Sequence, residues 1–287
     1  MATTAPGAAA VQARDAALGG ADIIFACGGD GTIHEVIQGL VSETGEPAAA
    51  LGIIPLGSAN ALARHLRIPL DPMKAALQEI QGTPQTIPIG KVSYGSRSRY
   101  FIVMAGAGPD GALVYDLLTV HKSSFGRLAY YLHAARLFST RRFRPFEIEY
   151  TDKATGLAKT QEAVSAMAVR VEDLGGLFSK LAGRNASIMD AHLRLLILSP
   201  PGALSLPLSF VSGWLNLHSF NPLLRFVDAT AFSCRPLSSP APHFQADGEW
   251  LGRIPMRVSI VPNALRLLLP REKGLVAAAS RLERGQI

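Results

Sequence analysis

A chain of 287 residues that is 48% hydrophobic and 17% charged can bury a substantial core as one large or two modest domains, which excludes a disordered tail. Its net charge of +6 fits acidic partners, whether nucleotide phosphates, nucleic acid or an anionic membrane surface, without choosing among them. Two cysteines, Cys27 and Cys234, are too few for a disulfide framework and have no metal-type spacing, which points to a reducing cytosol.

In chain order, the first ten residues lack the basic n-region and apolar core of a signal peptide. Asp22 to Cys27 reads as a short buried strand of a parallel sheet. It runs into Gly28-Gly29-Asp30-Gly31-Thr32, a loop almost without side chains. Ile33, Val36, Ile37 and Leu40 then form one helical stripe that Gly39 helps to end. Ala50 to Ile54 is a second strand, followed by Pro55-Leu56-Gly57-Ser58-Ala59-Asn60 and a short helix through Leu62 and Leu66. Asp71 as N-cap and Pro72 at the first position open a helix with Met73, Ala76, Leu77 and Ile80 on one face. This alternation is the grammar of a parallel α/β domain.

After Pro84 the chain turns to short β-rich runs that suggest a sandwich or barrel. They are Ile87 to Tyr94, Tyr100 to Met104, Phe146 to Tyr150, Ala163 to Val171, Leu193 to Leu198, Ala229 to Ser233, His243 to Ala246, Met256 to Val261 and Ala264 to Leu269. The main helix here is expected over 126–137. Leu195 to Leu224 carries no formal charge, but Pro200, Pro201, Pro207 and Pro222 interrupt it, so no transmembrane span is expected.

Three glycines where a strand meets a helix let backbone N–H groups and the positive end of the helix dipole approach an anion, and phosphate suits that geometry. The loop at Gly57 follows the same strand–loop–helix pattern, so both loops would face one crevice. Ser58 can offer a hydroxyl there, and Asn60 can cap the helix or bind a nucleotide; Pro-Leu-Gly-Ser can equally be a tight turn. Asp247-Gly248-Glu249 reads alone as a hairpin turn, yet its two carboxylates could take a proton from a hydroxyl or hold Mg²⁺. The seven histidines have no ligand-like spacing, and His34 falls on the polar side of its helix. Arg141-Arg142-Phe143-Arg144 reads as a solvated helix end or a dock for anionic head groups. Trp214, Leu215 and Leu217 read as core or as the lining of a lipid cleft.

With Gly106-Ala107-Gly108-Pro109-Asp110 added, the order and spacing of these motifs resemble the diacylglycerol kinase catalytic-domain family, which includes bacterial lipid kinases and the sphingosine and ceramide kinases. The resemblance runs to Val261-Pro262-Asn263-Ala264-Leu265. It implies a parallel α/β nucleotide-binding domain over 1–86, a β-sandwich-like lipid-kinase domain over 87–270, a tail or helix over 271–287 packing back on the first domain, and an active site in the cleft between the two domains. It further implies ATP with Mg²⁺ as donor, a diacylglycerol-like or sphingoid lipid hydroxyl as acceptor, and no nucleic acid. The protein would be cytoplasmic, peripheral to the inner face of the membrane, with a homodimer as the default assembly.

By the same resemblance, Thr3, Gly28, Gly29, Asp30, Gly31, Thr32, Glu35, Gly57, Ser58 and Asn60 would hold ATP. Asp30 would place Mg²⁺ and the phosphates, and Glu249, with Asp247 beside it, would activate the lipid hydroxyl. Carbonyl oxygens of Ser187 and His192 with Asp190 would hold a structural Mg²⁺. Some positions depart from the family's pattern: Pro88 stands where an Asp is common, Ala61 replaces an Asp found in many members, and Met189 and Ala191 replace parts of an Asp-Asp-Gly stretch. The family's arrangement also places a strand, an Asn-Pro-type phosphate loop, a helix and a further strand ahead of Met1, so the chain reads as N-terminally truncated by roughly forty residues. Two other readings remain, a non-catalytic nucleotide-binding relic and an NAD kinase, which shares Gly-Gly-Asp-Gly.

Overall fold

The computed structural model describes residues 2–3, 5–119, 136–137, 141–172, 186–201, 206, 208 and 221–270. The helix expected over 126–137, apart from its last two residues, the stretch with Trp214, Leu215 and Leu217, and the tail at 271–287 lie outside them. Two compact units are present: Met1–Ile89 with the chain from Val261 onward, and Gly90–Ile260. Among the described residues no helix is long and apolar enough to cross a membrane.

The first unit contains α1 (Ala8–Leu18), β1 (Ile23–Gly28), α2 (Asp30–Leu40), β2 (Ala50–Pro55), α3 (Ala61–His65) and α4 (Pro72–Ile80). β1 and β2 are parallel and in register from Ile23 opposite Ala50 to Gly28 opposite Pro55. The far end of β13 (Met256–Leu269) completes this sheet, also parallel, with Arg266 opposite Ala50 and Leu267 opposite Leu51. Every residue of β2 is buried, as a strand with neighbours on both edges and helices on its faces should be.

β1 departs from the expected buried strand. It is the edge of the sheet among the described residues, and Ile23 and Phe25 remain 41% and 39% exposed. In α2 the stripe of Ile33, Val36, Ile37 and Leu40 is buried as read from the spacing. His34 is buried too, against expectation, because α1 covers a further side of α2. Gly39 lies inside α2 instead of ending it, and a Cβ there would stand 2.1 Å from the Ala10 carbonyl oxygen. The missing side chain is what lets α1 pack so closely.

α4 is capped as expected, the Asp71 carboxylate accepting the Lys74 N–H at 2.9 Å. Its orientation is reversed. Met73, Leu77 and Ile80 are exposed, while Ala75 and Glu79 are buried against the sheet. Glu79 Oε2 accepts the N–H of Ile53 in β2 at 2.9 Å, and burial, partly opposed by that bond, pushes its carboxyl up to about 7.

In the second unit the strands from Arg97 to Arg253 pair antiparallel among the described residues. β5 (Met104–Ala107), β8 (Ser165–Val169), β9 (Leu193–Leu198) and β10 (Leu224–Pro236) pair in that spatial order. β11 (His243–Ala246) and β12 (Glu249–Arg253) extend the sheet beyond β5, and β6 (Phe146–Asp152) joins β10 to β7 (Ala158–Ala163). β3 (Thr83–Tyr94), which begins in the first unit, and β4 (Arg97–Phe101) form a hairpin that turns at Gly95, and α5 (Pro109–Thr119) follows β5. Alternate residues such as Phe146, Ile148, Leu193, Leu195, Ile197, Phe232 and Val258 build one apolar core. Parallel strands with helices in one unit and an antiparallel sheet in the other give the expected α/β plus β class. The strand expected to break near Pro262 continues through it as β13, with Asn263 at φ 51°.

Candidate active site

In the first unit, the register of β1 with β2 sets the two glycine loops level, since Gly28 lies opposite Pro55. The loops then meet backbone to backbone at their glycines: a Cβ on Gly57 would lie 2.5 Å from Gly29 Cα. Asp30, the first residue of α2, turns Oδ1 onto the N–H of Ala61, the first residue of α3, at 2.8 Å. It thus caps α3, whose own N-cap residue Asn60 makes no capping bond. Asn60 instead folds back on its loop at φ 50°, its Oδ1 accepting from Gly57 N–H at 3.0 Å and its Nδ2 donating to Gly57 C=O at 2.7 Å.

The first intrahelical bond after Gly29 runs from Ile33 N–H to Gly29 C=O at 3.1 Å, so the N–H groups of Asp30, Gly31 and Thr32 stand ahead of the helical ladder. Thr32 lies over Gly28, where a Cβ would be 2.4 Å from its Oγ1. Gly31 and Ser58 are exposed, as is Thr3. Glu35 reaches the first turn of α1, accepting the Ala9 N–H at 3.4 Å. These residues make a donor-rich, side-chain-poor loop pair suited to an anion.

In the second unit, Asp247 sits in the β11–β12 turn at φ 45°. Its Oδ2 accepts from Ile102 N–H at 2.8 Å and its Oδ1 from Val103 and Met104 N–H, both at 2.9 Å. Its own N–H donates to the Met104 carbonyl at 2.8 Å. Both carboxylate oxygens are therefore engaged in fixing the turn to the β4–β5 link. Glu249 is differently placed, with a side chain 33% exposed and 3.6 Å from the Arg99 guanidinium.

A second support runs through Gln245, whose Oε1 accepts from Gly248 N–H at 2.9 Å while its Nε2 donates to Asp110 Oδ2 at 3.0 Å. Gly106 makes room for that carboxylate, since a Cβ there would be 2.5 Å from Asp110 Oδ2. Burial pushes the Asp110 carboxyl up to about 6, partly opposed by the Gln245 bond.

The loop at 186–192 is held by Arg170. This side chain is 1% exposed and donates to the Ile188 carbonyl at 2.6 Å. Burial lowers its pKa to about 10 against the pull of Asp247 and Asp190. The Ser187 carbonyl accepts Asp190 N–H at 3.2 Å. His192 Nε2 lies 3.8 Å from Asp190 and 3.9 Å from Asp228, and burial holds its pKa below the usual histidine value. Two cations crowd the same place, Lys153 at 3.2 Å from His192 Nδ1 and Arg194 at 2.8 Å from Asp228. Asp190 is the one carboxylate of the expected Ser187, Asp190 and His192 set, Asp228 beside it is paired with Arg194, and no cluster of three or more His, Cys, Asp or Glu ligands occurs among the described residues.

Sequence reasoning missed Arg99, Arg170 and Gln245. Arg99 lies in the β3–β4 hairpin, where nothing in the linear sequence ties it to Glu249; Arg170 lies in an apolar strand run, where a lone cation was itself a signal.

The sequence model described as the diacylglycerol kinase catalytic domain matches residues 1–92. The chain is 33% identical over 273 residues to a diacylglycerol kinase of Bacillus subtilis (strain 168), covering 95% of this chain and 86% of that protein. A diacylglycerol kinase of Staphylococcus saprophyticus is 29% identical over 251 residues, covering 88% and 78%. A crystal structure of a diacylglycerol kinase from Bacillus anthracis str. Sterne superposes with a TM-score of 0.63 at 18% identity, over 95% of this chain and 85% of the other. A relative this similar over nearly the whole length, with the glycine loops intact, makes the chain a member of the diacylglycerol kinase family.

Proposed function

We propose that this kinase transfers the γ-phosphoryl group of ATP to the hydroxyl of a diacylglycerol-like or sphingoid lipid. The observation that carries the reading is the division of labour in the Asp247-Gly248-Glu249 turn. Asp247 is spent on three main-chain N–H groups, while Glu249 keeps a partly exposed carboxylate beside Arg99. Glu249 takes the proton from the lipid hydroxyl, and Asp247 positions it.

The first unit supplies the nucleotide end. The N–H groups at the start of α2 and the loop at Gly57-Ser58 receive the phosphates, with Thr3 and Glu35 contributing at the margin. The Asp30 carboxylate, a hard oxygen donor, would hold a Mg²⁺ ion bound with the nucleotide, which would supply neutralisation of phosphate charge. The Glu35 and Asn60 bonds hold the loops in shape. The acceptor is membrane-borne, so the protein works peripherally on the inner face, as a monomer or a homodimer.

A screen of lipid hydroxyl acceptors with γ-labelled ATP tests the reading. Label in the lipid phase that disappears in Glu249→Gln supports it. Nucleotide binding without transfer to any lipid would favour the non-catalytic relic, for which Pro88 is the motivating residue. Transfer to NAD instead of lipid would overturn the acceptor class.

A further inference from the structure

The second unit contains a cavity of about 100 Å³ lined by Arg141, Arg142, Arg144, Arg253 and His243, beside the start of α5 at Gly108. Asp116 is the acid that meets these guanidinium groups, its Oδ1 lying 3.4 Å from Arg141. Arg144 donates to the Ser239 carbonyl and Arg253 to that of Ala241, neutral acceptors that leave both charges uncompensated. Arg142 has no partner among the described residues. Like charges gathered around a small space repel one another, and an anion between them relieves the repulsion.

His243 adds an independent observation. Its ring is 3% exposed and stacks on Tyr115, with centroids 4.4 Å apart. Trp250 Nε1–H donates to His243 Nδ1 at 3.0 Å. An indole nitrogen can only donate, so Nδ1 is the acceptor and the proton of the neutral ring sits on Nε2. That Nε2 is buried and has no hydrogen-bond partner. Buried donors without acceptors are rare in folded proteins, and this one belongs to a residue that lines an arginine-rich cavity.

From these features we infer that the cavity is a binding site for a phosphate-class oxyanion, held by the arginine forks, with the buried His243 ring behind them. Arginine matches the geometry of such anions with paired donors, which lysine does not. Since a water takes up about 30 Å³ of liquid, the space admits a tetrahedral oxyanion but no acyl chain. The anion can be free phosphate or the head group of an anionic lipid, because both present the same oxygens. Burial first, then Arg253 and Arg141, holds the His243 pKa down at about 4, so the ring is neutral at physiological pH and its titration reports a charge placed among the arginines. The inference does not depend on phosphoryl transfer.

The test is NMR of the histidine ring signals of the full chain, assigned by His243→Gln. Titrants are inorganic phosphate, sodium chloride at matched ionic strength, and vesicles of phosphatidylcholine with or without phosphatidylglycerol. Phosphate is expected to move the His243 signal saturably and to raise its proton affinity about tenfold or more. Arg142→Ala, which has no partner to lose, is expected to weaken the midpoint about tenfold while Tm stays unchanged. A response to phosphate assigns a soluble anion, and a response confined to phosphatidylglycerol vesicles assigns a lipid head group; either upholds the site. A His243 signal that neither moves, that chloride moves equally, or that responds identically in Arg142→Ala overturns it.

Discussion

The carboxylate of Asp30 and the N–H of Ala61 meet at 2.8 Å, so the first residue of one helix caps the first residue of the next. The side chain expected to face phosphate and metal is also the clasp between the two glycine loops. Asp30→Asn keeps an oxygen acceptor for Ala61 and removes the charge, whereas Asp30→Ala removes both. Melting of the asparagine variant is expected to stay near that of the parent, and the alanine variant to lose about 1 kcal/mol. Both are expected to lose transfer of label to lipid extracts; full activity in Asp30→Asn would remove the proposed role.

Gly57→Ala puts a Cβ 2.5 Å from Gly29 Cα and 2.7 Å from Asn60 Oδ1. Gly29 Cα is main chain and cannot turn aside as a side chain would, so the loops must part. We expect a stability loss of about 1–3 kcal/mol and a nucleotide-induced rise in Tm much smaller than in the parent. An undiminished rise would show that the loop contact is irrelevant to nucleotide binding.

Asp247 and Glu249 should separate cleanly. Asp247→Ala strands three N–H groups and is expected to destabilise the protein by about 3 kcal/mol or more, read by urea unfolding. Glu249→Gln should leave the midpoint within experimental scatter while kcat falls by about 100-fold or more. Equal stability losses in the two variants would contradict their assignment to positioning and proton transfer.

Glu79 predicts a pH dependence. Its folded pKa is raised to about 7 from 4.5, so the contribution is fully present below 4.5 and is lost as pH rises towards 7. The shift corresponds to about 3 kcal/mol. Glu79→Gln still offers an oxygen to Ile53 N–H and cannot ionise. The difference in stability between variant and parent should therefore swing in the variant's favour between these two pH values, with other titrations cancelling. A flat difference across that range would mean that Glu79 is ionised in the fold without cost.

Much of this was legible in the residues themselves. Gly28-Gly29-Asp30-Gly31-Thr32 and Pro55-Leu56-Gly57-Ser58 announced two loops at strand ends because glycine at such junctions has few other uses, and the stripe from Ile33 to Leu40 fixed the buried face of α2. α4 misled because periodicity identifies an apolar face but not what covers it, and here the neighbour of β2 is Glu79. Asp247 was read as a second catalytic carboxylate, since nothing in a linear sequence ties it to the N–H groups of Ile102, Val103 and Met104. Arg99 and Gln245 escaped notice for the same reason, each acquiring its meaning only from a partner distant in sequence.

That distance has a consequence for how the protein is made. Asp247 closes on Ile102 across a separation of 145 residues, and β2 receives β13 as its neighbour only when Arg266 and Leu267 arrive. A ribosome delivers both closing pieces long after the elements they close on. Until then the glycine loops rest on an unfinished sheet and the turn bearing Glu249 does not exist. Premature termination anywhere before β13 would therefore leave a substrate for proteases rather than a weak kinase.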